Sequence, residues 1–288
     1  MEDSPWQEIG ELLGSSVRHR SAVGGGDINE AYRADLADGR RVFVKVNRRC
    51  PDGMFQAEAK GLRWLAEANA VRVPMVLAHS QPSASSGFLV LEHVESGRPA
   101  AAYDEMLGHQ LANLHRFGAP SVGLDHPNYI GTLPQSNEPK QSWHQFFAEQ
   151  RLVPMLERAA RAGLVNGGLR RRFDRLLAAL EGLLGGEEAP SRLHGDLWGG
   201  NAMCDASGHP VLVDPAVYGG DREVDLAMMR LFGGFSARTL AAYAEAYPLR
   251  PGHGDRISLY QLYPLLVHVN LFGSGYLGSV DSALSRYV

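Results

Sequence analysis

At Pro99 the chain changes character, and that switch constrains its fold more than any other feature of the 288 residues. Before it, runs rich in β-branched and aromatic residues are punctuated by glycine; after it, apolar residues recur mostly at helical spacing. PWQEIGELL at 5–13 predicts a short helix, with Ser4 as N-cap and Pro5 at its first position. Two β-rich runs, Glu30–Leu36 and 41–46, flank the turn Ala37-Asp38-Gly39. Residues 55–68 carry Phe55, Leu62 and Leu65 at helical spacing, and GFLVLEHV at 87–94 reads as a buried strand. The polar stretch Glu95-Ser96-Gly97-Arg98-Pro99 then supplies a hinge, placed at 96–99. Helix-like patterning follows at 101–116, 142–162, 168–184, 221–232, 236–246 and 257–272, with a short β-like segment, VLVD, at 211–214. The expectation is an α+β chain of two lobes with a cleft between them. A small β-rich lobe with one helix covers 1–95, and a larger, mainly helical lobe covers 100–288.

The segment that carries most chemistry is LHGDLWGGN at 193–201. An aspartate followed five positions later by asparagine is the spacing of a kinase catalytic loop. There the aspartate (Asp196) accepts a hydroxyl proton and the asparagine (Asn201) holds magnesium. Three glycines permit the tight turn that points both side chains at one phosphate. VLVD places Asp214 eighteen residues after Asp196, where a carboxylate at a strand end could hold Mg²⁺ on ATP phosphates. Asp-Pro-Ala stands there instead of Asp-Phe-Gly, so no phenylalanine switch is implied. A capping or turn aspartate is the plainer reading of any one of these residues; the combined spacing argues against it. Trp198 is open to two readings, a core aromatic beside the loop or a stacking surface for substrate.

Upstream parts fall in a consistent order. Gly24, Gly25 and Gly26 lie between β-like segments, where backbone N–H groups could approach phosphates, although a hairpin turn would need the same glycines. Lys45 interrupts the apolar strand VFVKV, and a lysine facing inward there is costly unless paired. Glu58, thirteen residues on in the next helix, is the expected partner for orienting ATP phosphates. Glu92, His93 and Val94 are placed, by position alone, at the adenine through backbone groups. His115 reads as a hydrogen-bonded core histidine, and no HxxxH or HExxH spacing supports zinc. A GxSxG elbow is also absent, which argues against a hydrolase.

Composition narrows the partners. Apolar residues make up 44% and charged residues 21%, the balance of a soluble globular chain. A net charge of −4 provides no basic stripe, so no nucleic-acid partner is expected. The cluster Arg170, Arg171, Arg172 and Arg175 reads as a solvated helix face. Cys50 and Cys204 cannot build a disulfide framework, which fits a reduced, cytoplasmic protein. No signal peptide or apolar run of membrane-spanning length is visible, so no membrane partner is expected.

With these residues in place, the chain resembles the fructosamine kinase (ketosamine-3-kinase) family, within the aminoglycoside-phosphotransferase and choline-kinase-like superfamily. LHGDLWGGN at 193–201, DPAVYGGDREVDLAM at 214–228, NYIGTLPQSN at 128–137 and SWHQFFAEQRLVPML at 142–156 carry the resemblance. It implies a bilobal protein-kinase-like fold with a nucleotide-binding N-lobe, and ATP with Mg²⁺ as cofactors. The implied reaction is phosphorylation of the 3-hydroxyl of a ketosamine, free or on a glycated protein. The phosphate at C3 lies next to the C2 carbonyl, so the product can eliminate and release the amine, which is deglycation. By the same resemblance Asp196 deprotonates the sugar hydroxyl, Asn201 and Asp214 hold Mg²⁺, and Lys45, oriented by Glu58, binds phosphates. Of Asp221, Glu223 and Asp225, one could fix the catalytic loop by hydrogen bonds, with Asp225 favoured, and solvent exposure is the plainer reading of all three. A monomer or weak homodimer is expected. The competing readings are a kinase of another small alcohol, of the aminoglycoside or choline type, and a nucleotide-binding pseudokinase.

Overall fold

The computed structural model describes residues 5–24, 28–81 and 87–288; Ser4, the expected N-cap, lies outside them. Contacts divide the chain into two units. One holds the residues up to Tyr103 together with Met203–Asp214, the other Asp104–Ala202 and Pro215–Val288.

The first unit is built on a five-stranded antiparallel sheet. Helix α1 (Pro5–Leu13) precedes β1 (Val17–Val23), β2 (Glu30–Leu36) and β3 (Arg41–Asn47). Helix α2 (Met54–Ala66), β4 (Val76–His79) and β5 (Gly87–Glu92) follow, and the sheet order is β1-β2-β3-β5-β4. Strand β3 is central, so both its edges are paired, and residues pack on both its faces, which its valine-rich sequence suits. Side chains alternate between faces. Val42, Val44 and Val46 therefore join Ile9, Ala34, Leu36, Phe88 and Val90 on one side. Phe43 packs on the other, against Phe55, Ala59, Leu62, Leu89 and Leu91. Lys45 shares the face of Phe43 by the same alternation, and α2 packs there. Each fully buried aliphatic side chain in these layers contributes about 1.5–3 kcal/mol.

A hairpin of strands Ala202–Cys204 and Pro210–Leu212 (β9 and β10 in chain order) accounts for the main departure from the expected division. Residues 203–214 were expected in the larger lobe, but they belong to the first unit because that is where their backbone groups find partners. The Gly97 N–H donates to the Cys204 carbonyl at 3.1 Å, Ala100 to Gly208 at 3.1 Å, and Leu212 to Arg72 at 2.9 Å. Arg72 Nη1 adds an ion pair to Asp205 at 2.7 Å and Nη2 another to Glu92 at 3.1 Å. The linker lies so close to the hairpin that a β-carbon on Gly97 would stand 2.4 Å from the Asp205 carbonyl oxygen. Gly97→Ala should cost about 1–3 kcal/mol by overpacking, read as a lower denaturation midpoint at unchanged m-value. An unchanged midpoint would mean the linker is free to move aside.

The second unit is mainly helical. It contains nearly all of α3 (Tyr103–Phe117), a hairpin of β6 (Asn128–Ile130) and β7 (Leu133–Gln135), α4 (Trp143–Phe146), α5 (Val153–Arg161) and α6 (Gly167–Leu184). Strand β8 (Ser191–Leu193) pairs antiparallel with β11 (Tyr218–Gly220). Helices α7 (Glu223–Leu231), α8 (Ala237–Ala246), α9 (His253–Phe272) and α10 (Leu277–Leu284) complete it. Its core includes Phe146, Phe147, Phe173, Leu176, Leu180, Leu259, Leu266 and Val280. Helical backbone runs on from α4 to α5, as expected over 142–162, but passes through a π-helical turn, Phe147–Leu152. Pro154 gives the physical reason, because it has no N–H for the Gln150 carbonyl one turn back. Strands β1, β4, β6–β9 and β11 and helix α10, which the sequence does not single out, are mostly short. Among the described residues no helix is long and apolar enough to cross a membrane.

Candidate active site

In the first unit, Lys45 is the centre of the charged residues. Its Nζ lies 2.6 Å from Glu58 Oε1 and 2.5 Å from Asp214 Oδ1. Glu58 is held there because α2 places positions 55, 58, 59 and 62 along one stripe, the stripe that covers the sheet. Lys45 is buried and the Glu58 side chain 12% exposed, whereas the Asp214 side chain is 47% exposed. Burial alone would favour a neutral lysine. The carboxylates of Asp214 and Glu58 outweigh it and hold the Lys45 pKa well above the ordinary lysine value. Burial pushes the Glu58 carboxyl up, against the pull of Lys45. Asp214 follows β10 with φ +55°, in a left-handed region few non-glycine residues adopt. Such a conformation persists where the surroundings fix it, and Lys45 is one such constraint.

Other expected nucleotide residues lie in the same unit. Gly24 follows the end of β1, with open space where a β-carbon would stand, while Gly25 and Gly26 lie outside the described residues. Glu92 ends β5, its N–H bonded to the Met75 carbonyl at 2.9 Å. His93 and Val94 follow, half-buried, and burial holds the His93 pKa below the ordinary histidine value.

In the second unit, the loop after β8 is fastened from beneath by Asp225, in the first turn of α7. Its Oδ2 accepts the His194 N–H at 2.8 Å and its Oδ1 the Gly195 N–H at 2.9 Å. His115 Nε2 lies 3.1 Å from Asp225 Oδ2, and His115 Nδ1 lies 2.8 Å from the Tyr243 hydroxyl. Burial would raise the Asp225 pKa, but the His115 hydrogen bond and charge bring it below the ordinary aspartate value. Gly195, at φ +83°, is the position that tolerates no side chain: a β-carbon would stand 2.1 Å from the Ala216 carbonyl oxygen. The loop then closes on itself. Asn201 Nδ2 donates to the Asp196 carbonyl at 2.8 Å and lies 3.2 Å from Asp196 Oδ2.

Trp198 is 41% exposed, so it is not a core aromatic, and its ring lies over Gly200. Gly199 meets Gly234 backbone to backbone. Near that contact, Phe232 lies 4.5 Å from His268, ring centre to ring centre, and His268 lies 5.4 Å from Phe272 and 4.9 Å from Tyr276. These aromatics were not singled out from sequence, although His268, Phe272 and Tyr276 recur at intervals of four. Asp221 and Glu223, for which exposure was the plainer expectation, are buried among arginines. Arg256 grips Glu223 through two bonds of 2.7 Å, and Arg250 and the Tyr260 hydroxyl reach Asp221. They stabilise the start of α7 and hence the placement of Asp225.

The described residues include no cluster of three or more His, Cys, Asp or Glu side chains arranged for a metal. The expected donors, Asp214 and Asn201, are one carboxylate and one amide. Each carries oxygen, the donor type magnesium takes, and magnesium usually keeps most of its ligands from phosphates and water.

Comparisons with known proteins bear on the family and the fold. The family model for fructosamine kinase matches residues 1–288. A Synechocystis protein named as a probable ketoamine kinase is 40% identical, over 98% of this chain and 97% of its own. A solved structure assigned as a fructosamine-3-kinase, from Thermobifida fusca, superimposes with a TM-score of 0.89 at 41% identity, covering 98% of each chain. An aminoglycoside phosphotransferase solved with ADP and hygromycin B has a TM-score of 0.65 at 19% identity, covering 98% of each chain. That likeness bears on the protein-kinase-like fold alone.

Proposed function

The chain belongs to the fructosamine kinase family and is a kinase, and from that premise we propose that it transfers the γ-phosphoryl group of ATP to the 3-hydroxyl of a ketosamine. One observation carries the reading: a buried lysine on a central strand bonded to both a helix glutamate and the strand-end Asp214. A buried ammonium held charged by two carboxylates suits the binding of phosphate oxygens, and its location matches the kinase arrangement of strand lysine and helix glutamate.

In this reading Asp196 takes the proton of the 3-hydroxyl as its oxygen bonds to the γ-phosphorus, and ADP leaves. Asn201 orients Asp196 and, with Asp214, would hold magnesium, which neutralises charge on the phosphate oxygens. Lys45, oriented by Glu58, binds phosphates; Gly24, Gly25 and Gly26 cover them through backbone N–H groups. Glu92, His93 and Val94 meet the adenine, and Trp198 stacks on the sugar. The product bears phosphate at C3 beside the C2 carbonyl, so its elimination frees the amine. The acceptor is a small ketosamine or a glycated protein, and we place the enzyme in the cytoplasm, in keeping with two unbridged cysteines.

An ATP-consumption assay across ribulose- and fructose-lysine adducts, aminoglycosides and simple sugars tests the reading. Turnover is expected with the ketosamines alone. Turnover with an aminoglycoside but no ketosamine would replace the acceptor, and nucleotide binding without any turnover would make the chain a pseudokinase.

A further inference from the structure

A fully buried arginine without a carboxylate partner is expensive, because its desolvation is not offset by an opposite charge. Arg151 is 0% exposed, and its hydrogen bonds go to neutral oxygens. Nη1 donates to the Ser136 carbonyl at 2.6 Å and the Gln150 carbonyl at 2.9 Å, and Nη2 to Asn137 Oδ1 at 2.7 Å. Among the described residues Nε is buried without an acceptor in hydrogen-bond geometry, although the Tyr218 hydroxyl interacts with the guanidinium. The guanidinium lies 3.8 Å from the ring centre of Tyr218, 4.5 Å from Phe146 and 5.5 Å from Tyr263. It issues from the π-helical turn, and the Gln150 carbonyl it takes is the one Pro154 cannot use.

Arginine donates and never accepts, so it dictates how its neighbours face. Asn137 must offer its oxygen to Arg151, which sends its Nδ2 to Asn128 Oδ1 at 2.9 Å. Asn128 then donates through Nδ2 to the Val217 carbonyl at 2.8 Å. Gln135 is set from the other side: its oxygen accepts the Tyr263 hydroxyl at 2.6 Å, and its Nε2 reaches Asn128 Oδ1 at 2.7 Å and the Ala216 carbonyl at 3.2 Å. The relay therefore ends on the carbonyls of Ala216 and Val217. The Ala216 N–H holds the His194 carbonyl at 2.9 Å, and the Ala216 oxygen is the atom that leaves no room beside Gly195.

We propose that Arg151 is a positioning residue for the catalytic loop, setting the direction of the Asn137–Asn128–Gln135 amide relay that fixes the Ala216–Val217 backbone beneath His194-Gly195-Asp196. The proposal rests on the reading of Asp196 as the base. It also gives the NYIGTLPQSN segment a physical task that its resemblance to other chains leaves unstated.

The test uses full-length Arg151→Met, Arg151→Lys and Asn128→Asp, with kcat, ATP KM and hydrogen–deuterium exchange measured on each. Arg151→Met should lower kcat by about tenfold or more, with ATP KM within about twofold, since a small misplacement of a reacting group costs that much. Exchange over 193–201 should quicken by about tenfold while 173–184 in α6 is unaffected. Arg151→Lys, which still only donates, should recover kcat to within about threefold of the parent. Asn128→Asp accepts but cannot donate to Val217, so it should reproduce the loss with Arg151 in place. Near-parental kcat in Arg151→Met, equal acceleration of exchange in α6, or no rescue by lysine would each overturn the proposal. If Arg151→Met does not fold, Asn128→Asp decides: unchanged loop exchange would sink the relay. A parent chain inactive on every ketosamine would instead defeat the proposed function, and the exchange comparison would still judge the relay.

Discussion

Asp196→Ala is expected to lower ketosamine-dependent ATP turnover by about 10²–10⁴-fold, the contribution of a positioned general base. The loss should fall on kcat, because Asp196 is assigned to proton transfer and not to nucleotide binding. The loop geometry gives the experiment its meaning. Asn201 grips the Asp196 backbone carbonyl at 2.8 Å, and Asp225 grips the N–H groups of His194 and Gly195. These bonds are to backbone groups; the variant loses the 3.2 Å contact between Asn201 Nδ2 and Asp196 Oδ2 but keeps the others, so the loop should keep its course. A rate within about tenfold of the parent, worth about 1.4 kcal/mol of barrier, would remove Asp196 from the role of base.

Lys45→Met should lower kcat/KM for ATP by about 10²–10³-fold, the usual cost of losing one electrostatic contact to the transferring group. It should also destabilise the fold, because Glu58 is then buried with no cation. Breaking a buried pair costs about 3–5 kcal/mol, and the lower end applies here because Asp214 is half exposed. The pH dependence separates the two effects. In the parent the Lys45 pKa is raised, so its stabilisation is fully present below the ordinary lysine value and is lost only as pH rises through the folded value. In the variant Glu58, already raised by burial, rises further, so folding takes up a proton and stability increases as pH falls through the raised pKa. Lys45→Met combined with Glu58→Gln should restore most of the stability and none of the turnover. If the single variant unfolds more easily yet keeps its rate, Lys45 serves the core alone.

Lys45, Glu58 and the polar residues of the 193–201 loop stood out in the sequence because each violates its local pattern. Lysine in a valine strand, glutamate on the apolar stripe of α2, and polar residues in a glycine loop are choices a stable core does not need. The order of β-rich and helical halves was legible from periodicity for the same elementary reason: strands repeat every second residue and helices about every 3.6. What the sequence hid is mostly nonlocal. Residues 203–214 follow the loop directly, yet their carbonyls serve Gly97 and Ala100, far back in the chain. Periodicity over 142–162 masked the π-helical turn, since Pro154 sits where a new helix start tolerates proline. Arg151 lies within a helix-patterned stretch, and only its partners at 136 and 137 reveal a buried donor.

The return of 203–214 to the N-terminal unit has a consequence for how the chain is made. Lys45 and Asp214 are 169 residues apart. At synthesis rates of about 5–20 residues per second, roughly 8–34 s separate the two on the ribosome. Throughout that interval the nascent β-sheet has Glu58 to balance the lysine and has no second carboxylate or hairpin. A fragment ending near Tyr103 would be frozen at that stage. A recombinant joined there would take the lysine from one parent and its aspartate from the other, so the unit would be assembled from two sources.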